Sequence, residues 1–204
     1  MAAVQMGALL PQCDGSNLAV AAATPVRSAL PMVSAVHIRD EQPSDADGVR
    51  ELHRLAFGGP SEARLIDLIR ARGRADISLV AAADDAIVGH VLFSPITITA
   101  APARLRGLGL APLAVRPECQ RRGHGSALMR EGLKRCLDAG VDAVVVLGDT
   151  AYYPRFGFLR ATDFGLDNEY GVVDEFMVLE LRPGVLAGIT GLVKYAAEFR
   201  EAGC

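Results

Sequence analysis

The sequence predicts one α/β domain with a mixed, mostly antiparallel sheet flanked by helices. Three observations carry this. From residue 36 on, short alternating or apolar β-branched runs are interleaved with amphipathic helical patterns. Two adjacent strand patterns are joined by a tight polar turn, as in an antiparallel hairpin. A strand–helix unit then leads into Ala143-Val144-Val145-Val146-Leu147, an unbroken apolar run of the kind buried on both faces of a sheet.

The elements follow in order. Val36-His37-Ile38-Arg39 alternates as a short strand. Ser44-Asp45-Ala46-Asp47 supplies a helix cap and an acidic first turn, and Val49, Leu52, Leu55 and Ala56 recur at helical spacing. Gly58-Gly59-Pro60 breaks that helix, and Ser61-Glu62 opens a second whose apolar face is Leu65, Ile66, Leu68 and Ile69, with Gly73 as its stop. Residues 77–83 and 87–99 form the hairpin. A third strand over 105–115 contains Gly107, Gly109 and Pro112, which mark a bulge, an edge or a place where something approaches the backbone. A helix follows over about 123–139, with Ala127, Leu128, Leu133, Cys136 and Leu137 as its inner face. After the buried 143–147 run, arriving parallel to its neighbour, a short helix at 152–156 and strands at 158–160 and 176–181 complete the pattern.

Residues 1–35 lack a periodic face and are broken by Gln12, Asp14, Ser16, Asn17, Pro25, Arg27 and Pro31. They read as a disordered leader, with Met32 an alternative start and residues 36–204 the folded domain. With 204 residues, half of them apolar, the chain buries a sizeable core. A net charge of −3 and a pI near 5.8 argue against a nucleic-acid partner. The absence of tryptophan and only 5% aromatics argue against a stacking surface for bases or sugars. No apolar run reaches membrane-spanning length. The four cysteines, at 13, 119, 136 and 204, form no CxxC pair, and the four histidines form no HExxH, so no metal site is expected and a cytoplasmic location is.

The chemistry concentrates in Gln120-Arg121-Arg122-Gly123-His124-Gly125-Ser126, between a strand and a long helix. A helix start offers unpaired N–H groups and a positive dipole end, so it is a ready anion site. Two glycines let a phosphate approach the main chain and two arginines add charge. No lysine follows a glycine as in a Walker A loop, and Gly123-His124-Gly125 lacks the third glycine of a dinucleotide fingerprint.

The stretch from Leu113 to Leu128, LAVRPECQRRGHGSAL, resembles the acyl-CoA motif of the GNAT superfamily of N-acyltransferases. Tyr153-Pro154-Arg155-Phe156-Gly157-Phe158 resembles the Tyr-x-x-x-Gly-Phe found later in the same superfamily. The two motifs and the element order extend the resemblance over residues 36 to 181. Its wording is that of a bacterial branch of predicted N-acetyltransferases. The resemblance implies a GNAT-like domain with a splayed central strand pair, acetyl-CoA as co-substrate, and transfer of its acetyl group to an amine by direct attack on the thioester. It implies that the main chain of Arg121, Arg122, Gly123, His124, Gly125 and Ser126 holds the CoA pyrophosphate. Leu113, Ala114 and Val115 would hold the pantetheine arm, with a strand N–H near Val115 facing the oxyanion. Tyr153 would give a proton to the departing thiolate.

Two departures from the family pattern matter. Gly148-Asp149-Thr150 stands where many relatives carry an asparagine, and no carboxylate lies within the strand ending at Val115. The base is therefore unassigned, with Glu118, His90 and Asp149 as weak candidates. The acceptor's walls are expected from the first two helices, the 93–106 region and the tail after Phe164. There Asp163, Asp167, Glu169, Asp174 and Glu175 favour a cationic amine, on a small molecule or a protein or peptide. A non-catalytic CoA-binding module is the alternative function, and a homodimer is compatible with the sequence.

Overall fold

The computed structural model describes residues 36–84 and 86–204; the expected leader, its alternative start at Met32, and Asp85 of the hairpin turn lie outside the described residues. The strands are β1 (His37–Asp40), β2 (Ile77–Ala83), β3 (Ala86–Pro95), β4 (Thr97–Ile98), β5 (Gly107–Val115), β6 (Ala143–Leu147), β7 (Leu159–Arg160), β8 (Leu166–Asn168), β9 (Phe176–Glu180) and β10 (Gly191–Lys194). The helices are α1 (Ala46–Phe57), α2 (Ser61–Ala71), α3 (His124–Asp138) and α4 (Ala197–Ala202), with 3-10 turns at Pro43–Asp45, Pro117–Cys119, Tyr153–Phe156 and Ala161–Phe164.

A seven-stranded sheet runs β1-β2-β3-β5-β6-β9-β7 and is antiparallel except where β5 meets β6. Both faces are covered. Val144 and Val146 join the apolar cluster around Leu128, Met129 and Cys136 of α3, while Val145 and Leu147 join that of α1, α2 and α4, with Leu52, Ile66 and Phe199. This two-sided burial is why β6 is apolar at every position.

Three differences from the sequence reading have physical causes. The predicted strand over 87–99 is two strands. Pro95 ends β3, and Thr97–Ile98 pairs with β10 in a separate three-stranded sheet, β4-β10-β8. The inner face of α3 is Leu128, Met129, Gly132 and Cys136, whereas Ala127 and Leu137 are exposed. Gly132 belongs there because the Phe93 ring lies where a Cβ would stand, 2.5 Å from its Cε2. On α1, Leu55 is exposed and His53 takes the core position, its ring stacked on Phe57. The glycines of β5 do mark a close approach: a Cβ on Gly109 would meet the Tyr195 ring, and one on Gly107 the Ile96 side chain.

Candidate active site

Strands β5 and β6 pair in parallel from Gly107↔Ala143 to Leu110↔Val146, and there the ladder stops. Beyond it, β5 continues against β3 alone, with Leu113↔Val91, Ala114↔His90 and Val115↔Gly89. Pro112 sits at the parting and has no N–H to give either neighbour. The Arg116 N–H donates to the Val88 carbonyl. Strand alternation therefore turns the Ala114 N–H and C=O toward β3, and those of Leu113 and Val115 toward the open side. The Val115 carbonyl accepts a hydrogen bond from the Gln120 side chain at 3.1 Å. The expected splay is present, but of Leu113, Ala114 and Val115 the middle residue presents its main chain to β3.

The open side runs directly into the basic loop. Arg121 has φ 60° and Gly123 φ 88°, so the chain makes two left-handed steps before α3 begins. Gly123 caps α3 and brings no side chain to bond the first-turn N–H groups. The earliest helical hydrogen bond is from the Ala127 N–H to the Gly123 carbonyl, which leaves the N–H groups of His124, Gly125 and Ser126 outside the helical ladder. Arg121 and Arg122 are exposed, and among the described residues neither has an ion-pair partner. Loop, helix terminus and both arginines thus come together at the mouth of the splay, as a diphosphate requires.

The Tyr153–Phe156 turn brings two tyrosines to this place by different routes. The Asp149 carbonyl accepts from the N–H groups of both Tyr152 and Tyr153, and its side chain accepts from Ala151 N–H at 2.7 Å. Asp149 thereby shapes the turn. Tyr153 is 1% exposed and lines the cleft beside Leu110, Ala111, Pro112, Leu113 and Leu147. Burial, with the neighbouring Tyr152 and Asp149, pushes its hydroxyl pKa well up, so it holds its proton throughout the neutral range. Tyr152 places its hydroxyl on the loop. It interacts with the Ser126 hydroxyl and stands 3.2 Å from where a Gly125 Cβ would be.

The opposite wall comes from Phe57 at the end of α1, Glu62 and Leu65 of α2, and Cys204. The first two helices thus contribute to the lining of this cleft. Two of the five acidic tail residues are otherwise engaged: Glu169 accepts from Tyr195 N–H and pairs with Arg200, and Asp174 pairs with Arg160. Two of the three weak base candidates also lie elsewhere. Glu118 is exposed beside Arg116. His90 belongs to a buried network in which its Nε2 meets Ser78 Oγ and its Nδ1 meets His53 Nε2, each at 2.9 Å. The residue missed by sequence reading is Glu62. A glutamate in a first helical turn reads as an ordinary dipole complement, and its burial follows from α4 packing on α2. Among the described residues no group of three histidines, cysteines or acids could hold a metal ion, and no helix is long and apolar enough to cross a membrane.

A sheet parted beside a basic helix start with free N–H groups suits an acyl-CoA-type transferase, and the chain belongs to the GNAT acetyltransferase family, whose domain matches residues 37–161. It is thereby an acyltransferase of the N-acetyltransferase kind. It is 38% identical over 166 residues to the uncharacterized N-acetyltransferase YhbS of Escherichia coli K12, covering 80% of this chain and 98% of the relative. It is 39% identical over 142 residues to YjhQ of the same organism, covering 68% and 77%. Among solved structures, E. coli YhbS in complex with CoA superposes with a TM-score of 0.77 at 36% identity, covering 85% of this chain and 96% of that one. A GNAT acetyltransferase from Brucella melitensis in complex with acetyl-CoA superposes with a TM-score of 0.68 at 35% identity, covering 81% and 98%.

Proposed function

We propose that this chain takes an acetyl group from acetyl-CoA and transfers it to an amine by direct attack on the thioester. The observation that carries this reading is the parting of β5 from β6 at Ala111. It leaves main-chain groups of Leu113 and Val115 facing an open slot that ends at the start of α3. The residues present fit the co-substrate. A diphosphate meets the N–H groups from Arg121 to Ser126 and two exposed guanidinium groups that have no ion-pair partner among the described residues. A pantetheine amide meets the free side of β5. The relatives captured with CoA and acetyl-CoA support the same reading.

In this arrangement the Val115 N–H stabilises the oxyanion formed as the amine adds to the carbonyl. The carbon–sulfur bond then breaks, and the thiolate takes the Tyr153 proton. Tyr153 is a weak acid there, but the thiolate is desolvated in the same cleft. Burial therefore raises the proton affinity of both groups. Cytoplasmic residence accords with Cys119, Cys136 and Cys204 all being unpaired.

The deciding experiment follows free thiol released from acetyl-CoA in the presence of a panel of amines. Amine-dependent release, with the acetylated amine recovered, is expected. Tight acetyl-CoA binding without release on any amine would leave a CoA-binding module and overturn the transfer.

A further inference from the structure

Glu62 stands apart from every other buried acid among the described residues. Asp45 pairs with Arg39, Asp142 with Arg182, and Glu198 faces Arg72 and Arg74 at 3.4 and 3.6 Å. Glu62 is 8% exposed, yet among the described residues no basic side chain pairs with it, and the hydrogen bond it accepts comes from its own backbone N–H. Burying a carboxylate without a cation is costly, which is why such groups are normally paired. Its place gives the reason. It lines the same cleft as Tyr153, Ala111 and Leu113, flanked by Phe57 and Leu65.

We propose that the missing partner is the acceptor itself: Glu62 binds the ammonium group of a primary amine carried on an apolar alkyl or aralkyl arm and takes its proton. This rests on the acetyl-transfer reading of the cleft. The apolar arm follows from the walls, since Phe57 and Leu65 offer nothing to the hydroxyls of an aminosugar. The steps balance. R–NH3+ gives one proton to the Glu62 carboxylate and becomes a neutral nucleophile. The C–N bond forms and the C–S bond breaks, with its electron pair leaving on sulfur. The thiolate is protonated from Tyr153, which regains a proton as the nitrogen sheds its second one. Glu62 then returns its proton to water, so one proton is released per acetyl group moved.

Burial pushes the Glu62 carboxyl up from the usual carboxylate range, in the direction that makes it a better base. The other titratable groups on the cleft wall are Cys204, whose thiol is pushed up to about 12, and Tyr153, raised further; both stay protonated near neutrality. Arg64, two residues along α2, is exposed.

The test is Glu62→Gln, which keeps shape and removes the charge. With a primary alkylamine at pH 7, kcat/KM should fall about 10²-fold or more, while acetyl-CoA affinity by calorimetry stays as in the wild type. The loss should shrink as pH rises toward the amine's own pKa, because more acceptor then arrives already neutral. The melting temperature should hold or rise. Glu62→Asp should keep part of the activity, and it serves as the readout if the glutamine variant does not fold. An unchanged kcat/KM and pH profile, or a fall in melting temperature with a uniform rate loss at every pH, would overturn the role of Glu62 and leave acetyl transfer standing. Faster wild-type turnover of an aminosugar than of alkylamines would overturn the acceptor class. A wild type that binds no acetyl-CoA would overturn the cofactor site instead.

Discussion

The rings of Tyr152 and Tyr153 meet edge to face, with centroids 5.2 Å apart and planes at 89°, so two adjacent side chains lie at right angles to each other. Tyr153 faces the cleft between β5 and β6, while Tyr152 props the loop through Ser126. Tyr153→Phe should lower kcat about 10²-fold or more with little change in acetyl-CoA affinity. Tyr152→Phe should do the reverse, leaving kcat near wild type and weakening CoA binding several-fold, as expected for one lost hydrogen bond of about 1 kcal/mol. Steady-state kinetics beside calorimetry separates them. Exchanged phenotypes would shift the assignment by one residue.

The loop makes a second prediction. A Cβ on Gly125 would stand 3.2 Å from the Tyr152 hydroxyl and 3.5 Å from Val115 Cγ2. A long acidic side chain there must therefore turn outward across the helix start. Gly125→Glu should weaken acetyl-CoA binding at least tenfold, about 1.4 kcal/mol, in a protein that remains folded by circular dichroism. Equal affinity would remove the loop from the binding site.

Gly132 tests packing against propensity. Alanine in mid-helix is worth up to about 1 kcal/mol over glycine, but here its Cβ would lie 2.5 and 2.7 Å from Cε2 and Cζ of the fully buried Phe93 ring. Overpacking of this kind costs about 1–3 kcal/mol, so the clash should win and Gly132→Ala should lower the urea midpoint. Adding Phe93→Leu should restore part of the loss. A more stable single variant would show that the ring moves aside freely.

The buried polar network under α1 gives a pH dependence. Burial pushes the His53 imidazole well down, with His90 and Arg70 adding to it, and burial also lowers His90 despite the nearby Glu41. For Glu41, burial acts upward, but hydrogen bonds from His90 and Ser78 and the charge of Arg70 outweigh it, and its pKa is lowered. All three folded-state values lie below the unfolded ones, so their contribution is present at high pH and lost as pH falls. The loss begins near the unfolded histidine pKa of about 6.5, and Glu41 adds to it below about 4.3. Unfolding free energy from urea titrations should drop from pH 7.5 to 5.5, each histidine contributing at most about 1.4 kcal/mol per pH unit. His53→Leu should flatten this slope. A slope equal to the wild type's would mean that His53 is protonated in the folded protein.

Legibility in the sequence tracked the length of each pattern. The α1 and α2 faces, the β2–β3 hairpin and the β6 run each span enough residues for a period to show. Strands β4, β8 and β10, of two to four residues, do not, so the second sheet stayed hidden. The continuous 87–99 reading failed because Ile96-Thr97-Ile98-Thr99 keeps its alternation across Pro95 while the chain changes sheets. Gly132 was missed because an apolar count does not score a glycine as a core contact. The roles proposed for the loop and Tyr153 come from short motifs with fixed spacing. Glu62 was not legible, since the cleft it lines is assembled from residues far apart in the chain, Cys204 among them, 142 positions away.

The parting of β5 from β6 has an evolutionary corollary. If the co-substrate is gripped by peptide groups of Leu113, Val115 and the turn before α3, most side chains along that path are released from recognition and answer only to packing. The two helices across the cleft carry no such main-chain duty. A lineage with this scaffold could exchange Phe57, Glu62 and Leu65, and with them its acceptor, without rebuilding its hold on the acyl donor.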